Sequence, residues 1–265
     1  VWSWQDWHQG LTMTHWTDEY FDIFRFLFWE PQHLDLMKKP GDRKGLDEVL
    51  DHLRRMEVTL NHEFNLFFRL APQGLVREVL RRFGDTECPE PLELINHGQV
   101  EDFCRVVQPD LLLQGDAMNF SIEMKIGARS SLEQVWKYAL LHWLDELRVG
   151  ATKTSVLLFM GPRSFADLWP ERFETPKAVV EVALEHDISS LVDRAATKES
   201  VAIDWEAVGG LLQRTAVGFC SYQEFADLLG GYLRRHADDG PGGETLRKLF
   251  GGMRGELVGR GLVKG

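Results

Sequence analysis

Asp110, Glu123 and Lys125 are the residues whose types and spacing could do chemistry together. Glu123 and Lys125 stand two apart in Phe120 to Ile126, a run that alternates apolar and polar residues. As a strand, that run projects Ser121, Glu123 and Lys125 to one face and Phe120, Ile122, Met124 and Ile126 to the other. Asp110 follows Pro109 and begins the apolar run Leu111-Leu112-Leu113. A turn around Gly115 to Asn119 would fold the two runs into a hairpin and bring the Asp110 carboxylate near Glu123. Two carboxylates that close repel, and neither stays ionised cheaply without a cation between them. Mg²⁺ takes this small a protein set, one or two carboxylates completed by waters and a substrate phosphate. The lysine adds a point positive charge that can orient or help deprotonate an attacking water, or offset charge on a phosphorus transition state. Such a set suits phosphodiester hydrolysis.

The same residues have plainer roles. Glu123 and Lys125 could be an exposed ion pair. Asp116 rivals Asp110 as the acid of the hairpin, although the Gly115-Asp116 context suits a turn. The elements that must position the set are legible around it. Leu46 to Leu70 is helical in period, with Leu46, Val49, Leu50, Leu53, Met56, Leu60, Phe64 and Phe67 at three- and four-residue steps. Glu57 falls on that stripe, where an acid needs a partner: either a metal, or Arg54 or a cap. Pro72 and Gly74 break the helix, and Leu75 to Phe83 forms a second one. After the hairpin, Ser130 or Ser131 can cap a helix running to about Leu147 and closed by Gly150. Gln134 and Tyr138 are four apart on it and share a face. Ser155 to Met160 reads as a central strand, Ala178 to Leu184 as strand or helix, and Ala207 to Val217 and Tyr222 to His236 as helices.

On Pro109-Asp110, Glu123-Met124-Lys125 and Gln134-Val135-Trp136-Lys137-Tyr138, the chain resembles the PD-(D/E)XK nuclease superfamily, in its RecB-like branch with a Q-x3-Y motif. The resemblance spans roughly residues 46–161. It implies an α/β fold with a restriction-endonuclease-like core in the order α-β-β-β-α-β, a mixed central sheet flanked by helices. It also implies Mg²⁺ or Mn²⁺ held by Asp110, Glu123 and the main-chain carbonyl of Met124, with Glu57 as an extra ligand of some branches. Lys125 would be the catalytic lysine, and Gln134 and Tyr138 would contact DNA near the scissile phosphate. Glu57 as a satisfied acid, and Gln134 and Tyr138 as an ordinary helix face, stand beside those roles.

Three divisions follow: an aromatic-rich extension over 1–45, a nuclease core over 46–200, and a mainly helical region over 201–265 packed on the core. The extension holds five of the nine tryptophans, Trp2, Trp4, Trp7, Trp16 and Trp29. No basic residues interleave with the early ones, so packing as a satellite core is favoured over base stacking. The chain has 265 residues and a formal net charge of −11, which argues against coating nucleic acid by bulk charge. The excess acid lies between residues 86 and 231, and part of it is assigned to metal binding. DNA contacts would then be confined to a cleft flanked by arginines of 51–85 or by the basic tail. RNA stays open as a substrate, as do a protein partner or a second copy of the chain. Cys88, Cys104 and Cys220 are too widely spaced for a zinc site and fit a reducing cytoplasm. No apolar run is long enough for a membrane span, and no signal-peptide pattern opens the sequence. The reading is a metal-dependent deoxyribonuclease, of a kind used in defence or mobile-element systems. Its competitor is an inactive nuclease-like fold serving as a protein-binding or assembly module.

Overall fold

The computed structural model describes residues 16–17, 52–53, 56–88, 90–95, 107–162, 164–198 and 201–264. Among these residues the protein is a mixed α/β chain with a five-stranded sheet and eight α-helices. It divides into two compact units, Phe64–Phe225 and Val1–Glu63 with Ala226–Gly265.

The unit Phe64–Phe225 contains the sheet. Two helices lead into it, α1 (Glu57–Leu70), whose first half belongs to the other unit, and α2 (Gln73–Phe83). Strand β1 (Glu93–Leu94) is short. Strands β2 (Leu111–Gln114) and β3 (Met118–Met124) form the expected antiparallel hairpin, with Leu111 opposite Ile122 and Gln114 opposite Asn119. Helix α3 (Leu132–Val149) then crosses to β4 (Thr154–Gly161), which is parallel to β3. Ser131 occupies the N-cap position without a side-chain cap bond, and Gly150 ends the helix at φ 73°, a conformation that favours glycine. Three more helices follow, α4 (Pro176–Leu184), α5 (Ser189–Lys198) and α6 (Trp205–Arg214). They return the chain to β5 (Ala216–Ser221), parallel to β4. The strands lie in the order β1-β2-β3-β4-β5.

Ala178 to Leu184 resolves as helix because Thr175 caps the Ala178 N–H and Pro176 opens the first turn. Two expectations are corrected. The helix expected to run to Val217 stops at Arg214, and Ala216–Ser221 form a strand. Ala216 to Ser221 has little strand pattern of its own; pairing with Val156 to Gly161 of β4 supplies it. Likewise the helical stripe of Leu46 to Leu70 is interrupted at Met56, before α1 begins at Glu57. Residues 46–51 lie outside the described residues.

One face of the sheet packs Leu112, Leu157 and Phe159 against α3, α4, α5 and α6. On the other face, Leu111, Leu113, Phe120, Ile122, Val156, Leu158 and Met160 are fully buried. There the end of α2 lies directly on β5: a Cβ at Gly218 would sit 1.9 Å from the Phe83 carbonyl oxygen. Backbone cannot yield as a flexible side chain does. Gly218→Ala is therefore expected to lower stability by about 3 kcal/mol, read from the urea midpoint at unchanged m-value.

In the other unit, α8 (Pro241–Gly259) follows the later part of α7 (Tyr222–His236), with the Tyr232 and Phe250 rings 5.7 Å apart. Trp16 donates its indole N–H to the Leu249 carbonyl at 2.9 Å. The other aromatic residues of the extension lie outside the described residues. Among the described residues no helix is long and apolar enough to cross a membrane.

Candidate functional site

All seven residues of β3 are buried, the polar ones included. Its alternation divides an apolar face from a polar face, and the polar face lies under α3. Along β3, alternate residues Asn119, Ser121 and Glu123 meet polar side chains on a single stripe of α3. Ser121 Oγ is 2.8 Å from His142 Nε2. Asn119 stabilises the Asp145 carboxylate, and Glu123 is bound by Tyr138 and Gln134. The periods permit this match. Two strand residues advance about 6.6 Å, and three or four helical residues advance about 4.5–6 Å. Residues 134, 138, 142 and 145 therefore keep step with 123, 121 and 119 as the two elements run in opposite directions.

The middle of this seam is dry. Thr215 Oγ1 donates to the Leu211 carbonyl, and Ser155 Oγ lies 2.9 Å from Thr215 Oγ1 and 2.6 Å from His142 Nδ1. One set of protons satisfies the chain: Ser121 O–H to Nε2, Nδ1–H to Ser155, Ser155 O–H to Thr215, and Thr215 O–H to Leu211. It requires a neutral ring. Burial pushes the His142 ring down from 6.5 to about 4; Asp145 raises it and Lys153 lowers it, but desolvation is the largest effect. For Asp145 itself, burial would push the carboxyl up. Lys153 Nζ at 2.8 Å and Arg148 Nη2 at 2.7 Å outweigh that and, with Asn119 adding a smaller effect, hold it below the usual carboxylate value.

A depressed histidine means that the unfolded chain binds the extra proton first as pH falls. Stability that is full above 6.5 is lost on descending towards 4, by about 3 kcal/mol in total. Urea titrations at pH 7 and pH 4 should show wild type losing about that much more than His142→Gln, which has no ring to protonate.

The catalytic candidates lie at one end of the hairpin, because antiparallel pairing sets the start of β2 beside the end of β3. Carboxylate oxygens of Asp110 and Glu123 lie within 4.8 Å of each other. Asp110 is held at three points. Its Oδ2 accepts the Met124 N–H at 2.7 Å, its carbonyl accepts from Asn65 Nδ2 at 2.6 Å, and its own N–H donates to Tyr138 Oη at 3.4 Å. Glu123 accepts from Lys125 Nζ at 2.7 Å and from Gln134 Nε2, both at Oε1, and from Tyr138 Oη at Oε2. The Glu123 side chain is only 4% exposed and that of Lys125 12%, so this is no solvated surface pair. Burial first, then the charges of Glu123 and Asp110, push the Tyr138 phenol well above its ordinary value, so it stays a donor.

Register also explains the proline. Continued by two residues from Leu111 opposite Ile122, the hairpin sets Met124 opposite Pro109. In such a pair the N–H and C=O of one residue point to the same neighbour. The Met124 N–H goes to Asp110, so its carbonyl opens on the same side, where Pro109 has no N–H to offer it. Two carboxylates and a main-chain carbonyl are hard oxygen donors, the chemistry of a Mg²⁺ or Mn²⁺ site. The residues present therefore fit such an ion.

Asp116 is exposed in the turn at the far end of the hairpin. Glu57 is half-buried in the first turn of α1 and belongs to the other compact unit; Arg54 lies outside the described residues. Gln134 and Tyr138 are placed on Glu123, and Tyr138 is fully buried. Asn65, Ser121, His142 and Asp145 are structural parts of the site that spacing did not single out. For His142 and Asp145 the one signal was their three- and four-residue spacing from Gln134 and Tyr138 along a single stripe of the helix. No protein-family model, curated protein or solved structure matches the chain.

Proposed function

We propose that this protein is a Mg²⁺- or Mn²⁺-dependent deoxyribonuclease with a restriction-endonuclease-like core of the PD-(D/E)XK type. The observation that carries the reading is the convergence of Asp110, Glu123 and Lys125 at one end of a buried hairpin, where the Met124 N–H also binds Asp110. The order of elements supports it: helices α1 and α2, strands β1 to β3, helix α3, strand β4. The added strand β5 and the helices around it extend that core.

Asp110 and Glu123 would hold the ion with the Met124 carbonyl, and Glu57 is the further ligand expected from the sequence. When bound, the ion supplies a Lewis acid for the phosphate oxygens. The chain's own residues do the rest. Glu123 accepts from the Lys125 ammonium at 2.7 Å and holds it beside the two carboxylates. Lys125 orients the attacking water and offsets the negative charge that grows on the phosphorus centre. The low exposure of both side chains strengthens that interaction relative to water. Arg77, Arg81 and Arg82 are exposed on α2 and give a local positive surface to an acidic protein. Cys88 and Cys220 are buried free thiols, in keeping with a cytoplasmic setting.

The test is a panel of single-stranded, double-stranded and circular DNA, and RNA, incubated with Mg²⁺ or Mn²⁺ at low salt. Cleavage should appear with the ion, vanish with EDTA, and vanish in Asp110→Ala and Glu123→Ala. Glu57→Gln should weaken it. No cleavage together with no Mn²⁺ binding would instead favour an assembly module built on the same fold.

A further inference from the structure

We infer that Tyr138 is a positioning residue that locks the two carboxylate ligands into one frame, with Gln134 as its second anchor, and that neither acts by touching substrate. The inference rests on the metal-site reading above and deepens it. Tyr138 is 1% exposed, so its hydroxyl does not reach a strand of DNA outside the fold. That hydroxyl has one proton and accepts through its lone pairs. It spends the proton on Glu123 Oε2 and accepts the main-chain N–H of Asp110. One atom thus touches both carboxylate residues, one through its side chain and the other through its backbone.

Gln134 completes the arrangement from one turn earlier on α3, donating to the other oxygen of Glu123. A carboxylate offers about four acceptor directions. Gln134, Tyr138 and Lys125 take three, leaving one defined direction for a cation. Without the phenol, Glu123 can rotate about its last bond, and Asp110 loses its tie to α3. Loss of such an outer support typically weakens metal affinity about 10- to 100-fold.

The experiment is calorimetric titration of the full chain with Mn²⁺, beside steady-state DNA cleavage. It compares wild type, Asp110→Ala/Glu123→Ala, Tyr138→Phe and Gln134→Leu. Support would be wild-type binding, none in the double variant, and binding weakened about 10-fold or more in Tyr138→Phe, with kcat lowered and KM for DNA unchanged. Gln134→Leu, at the half-buried edge, reads the same affinity if Tyr138→Phe melts early. Unchanged Mn²⁺ affinity in the folded variants, or a raised KM at constant kcat, would overturn the positioning role and leave the metal site standing. Absence of Mn²⁺ binding by wild type would overturn the metal-site reading itself, and this inference with it.

Discussion

Lys125→Ala is expected to lower DNA cleavage by about 10²–10⁴-fold while leaving Mn²⁺ binding in place. The reason lies in what each group does for its neighbour. Glu123 keeps two donors, Tyr138 and Gln134, when the ammonium is removed, so the carboxylate stays oriented. What is lost is a positive charge on a side chain only 12% exposed, which under the proposed mechanism would offset transition-state charge more strongly than in water. Glu123→Ala differs in kind. It removes the proposed metal ligand and the partner of Lys125 together, so binding and cleavage should fall in step. Measuring affinity by calorimetry and rate by single-turnover cleavage separates the two. Cleavage by purified Lys125→Ala at the wild-type rate would refute the lysine's role.

Arg260→Ala is expected to destabilise the protein by about 3–5 kcal/mol without touching the site chemistry. In the unit Val1–Glu63 with Ala226–Gly265, the Arg260 side chain is 6% exposed and its guanidinium lies between two acids. Nη2 is 3.0 Å from Glu63 Oε2, whose side chain is fully buried, and Nε is 2.7 Å from Glu256 Oε1, one helical turn earlier. The same guanidinium donates to Thr59 Oγ1 and to the Met56 carbonyl. Removing it leaves two carboxylates desolvated and facing each other, with their own attraction to the cation gone. Replacing all three, as Arg260→Met with Glu63→Leu and Glu256→Leu, removes the charges along with their partner and should recover most of the loss. Urea denaturation of the single and triple variants checks both statements. Equal stability of Arg260→Ala and wild type would show that the triad contributes nothing.

Much of the site was readable from spacing because strand and helix periods act over a few residues. Glu123 and Lys125 two apart, Gln134 and Tyr138 four apart, and a proline-led apolar run before a turn each specify a local geometry. The hairpin, α3 and β4 followed from them within a residue or two. Elements that depend on distant partners were less visible. β5 contains Gly218 and Cys220 and borders a helical stripe, so only its ladder with β4 distinguishes it from more helix. Met56 falls on the stripe of Leu53 and Leu60, yet the helix breaks there.

The chain's local order is enough to specify that Asp110 leads directly into one strand, that Glu123 lies near the end of the next with Lys125 just past it, and that the two strands pair. It does not specify how wet the polar face of that second strand is. An alternating strand is equally compatible with water or with a polar partner over its hydrophilic side. Folding covered that side with α3, because both elements repeat at nearly the same distance and Ser121 and Glu123 each found a hydrogen-bonding counterpart on it. That burial turns Glu123 and Lys125 from a common sequence pair into a desolvated one, and it turns Tyr138 from a surface candidate into a hydroxyl bonded to both carboxylate residues.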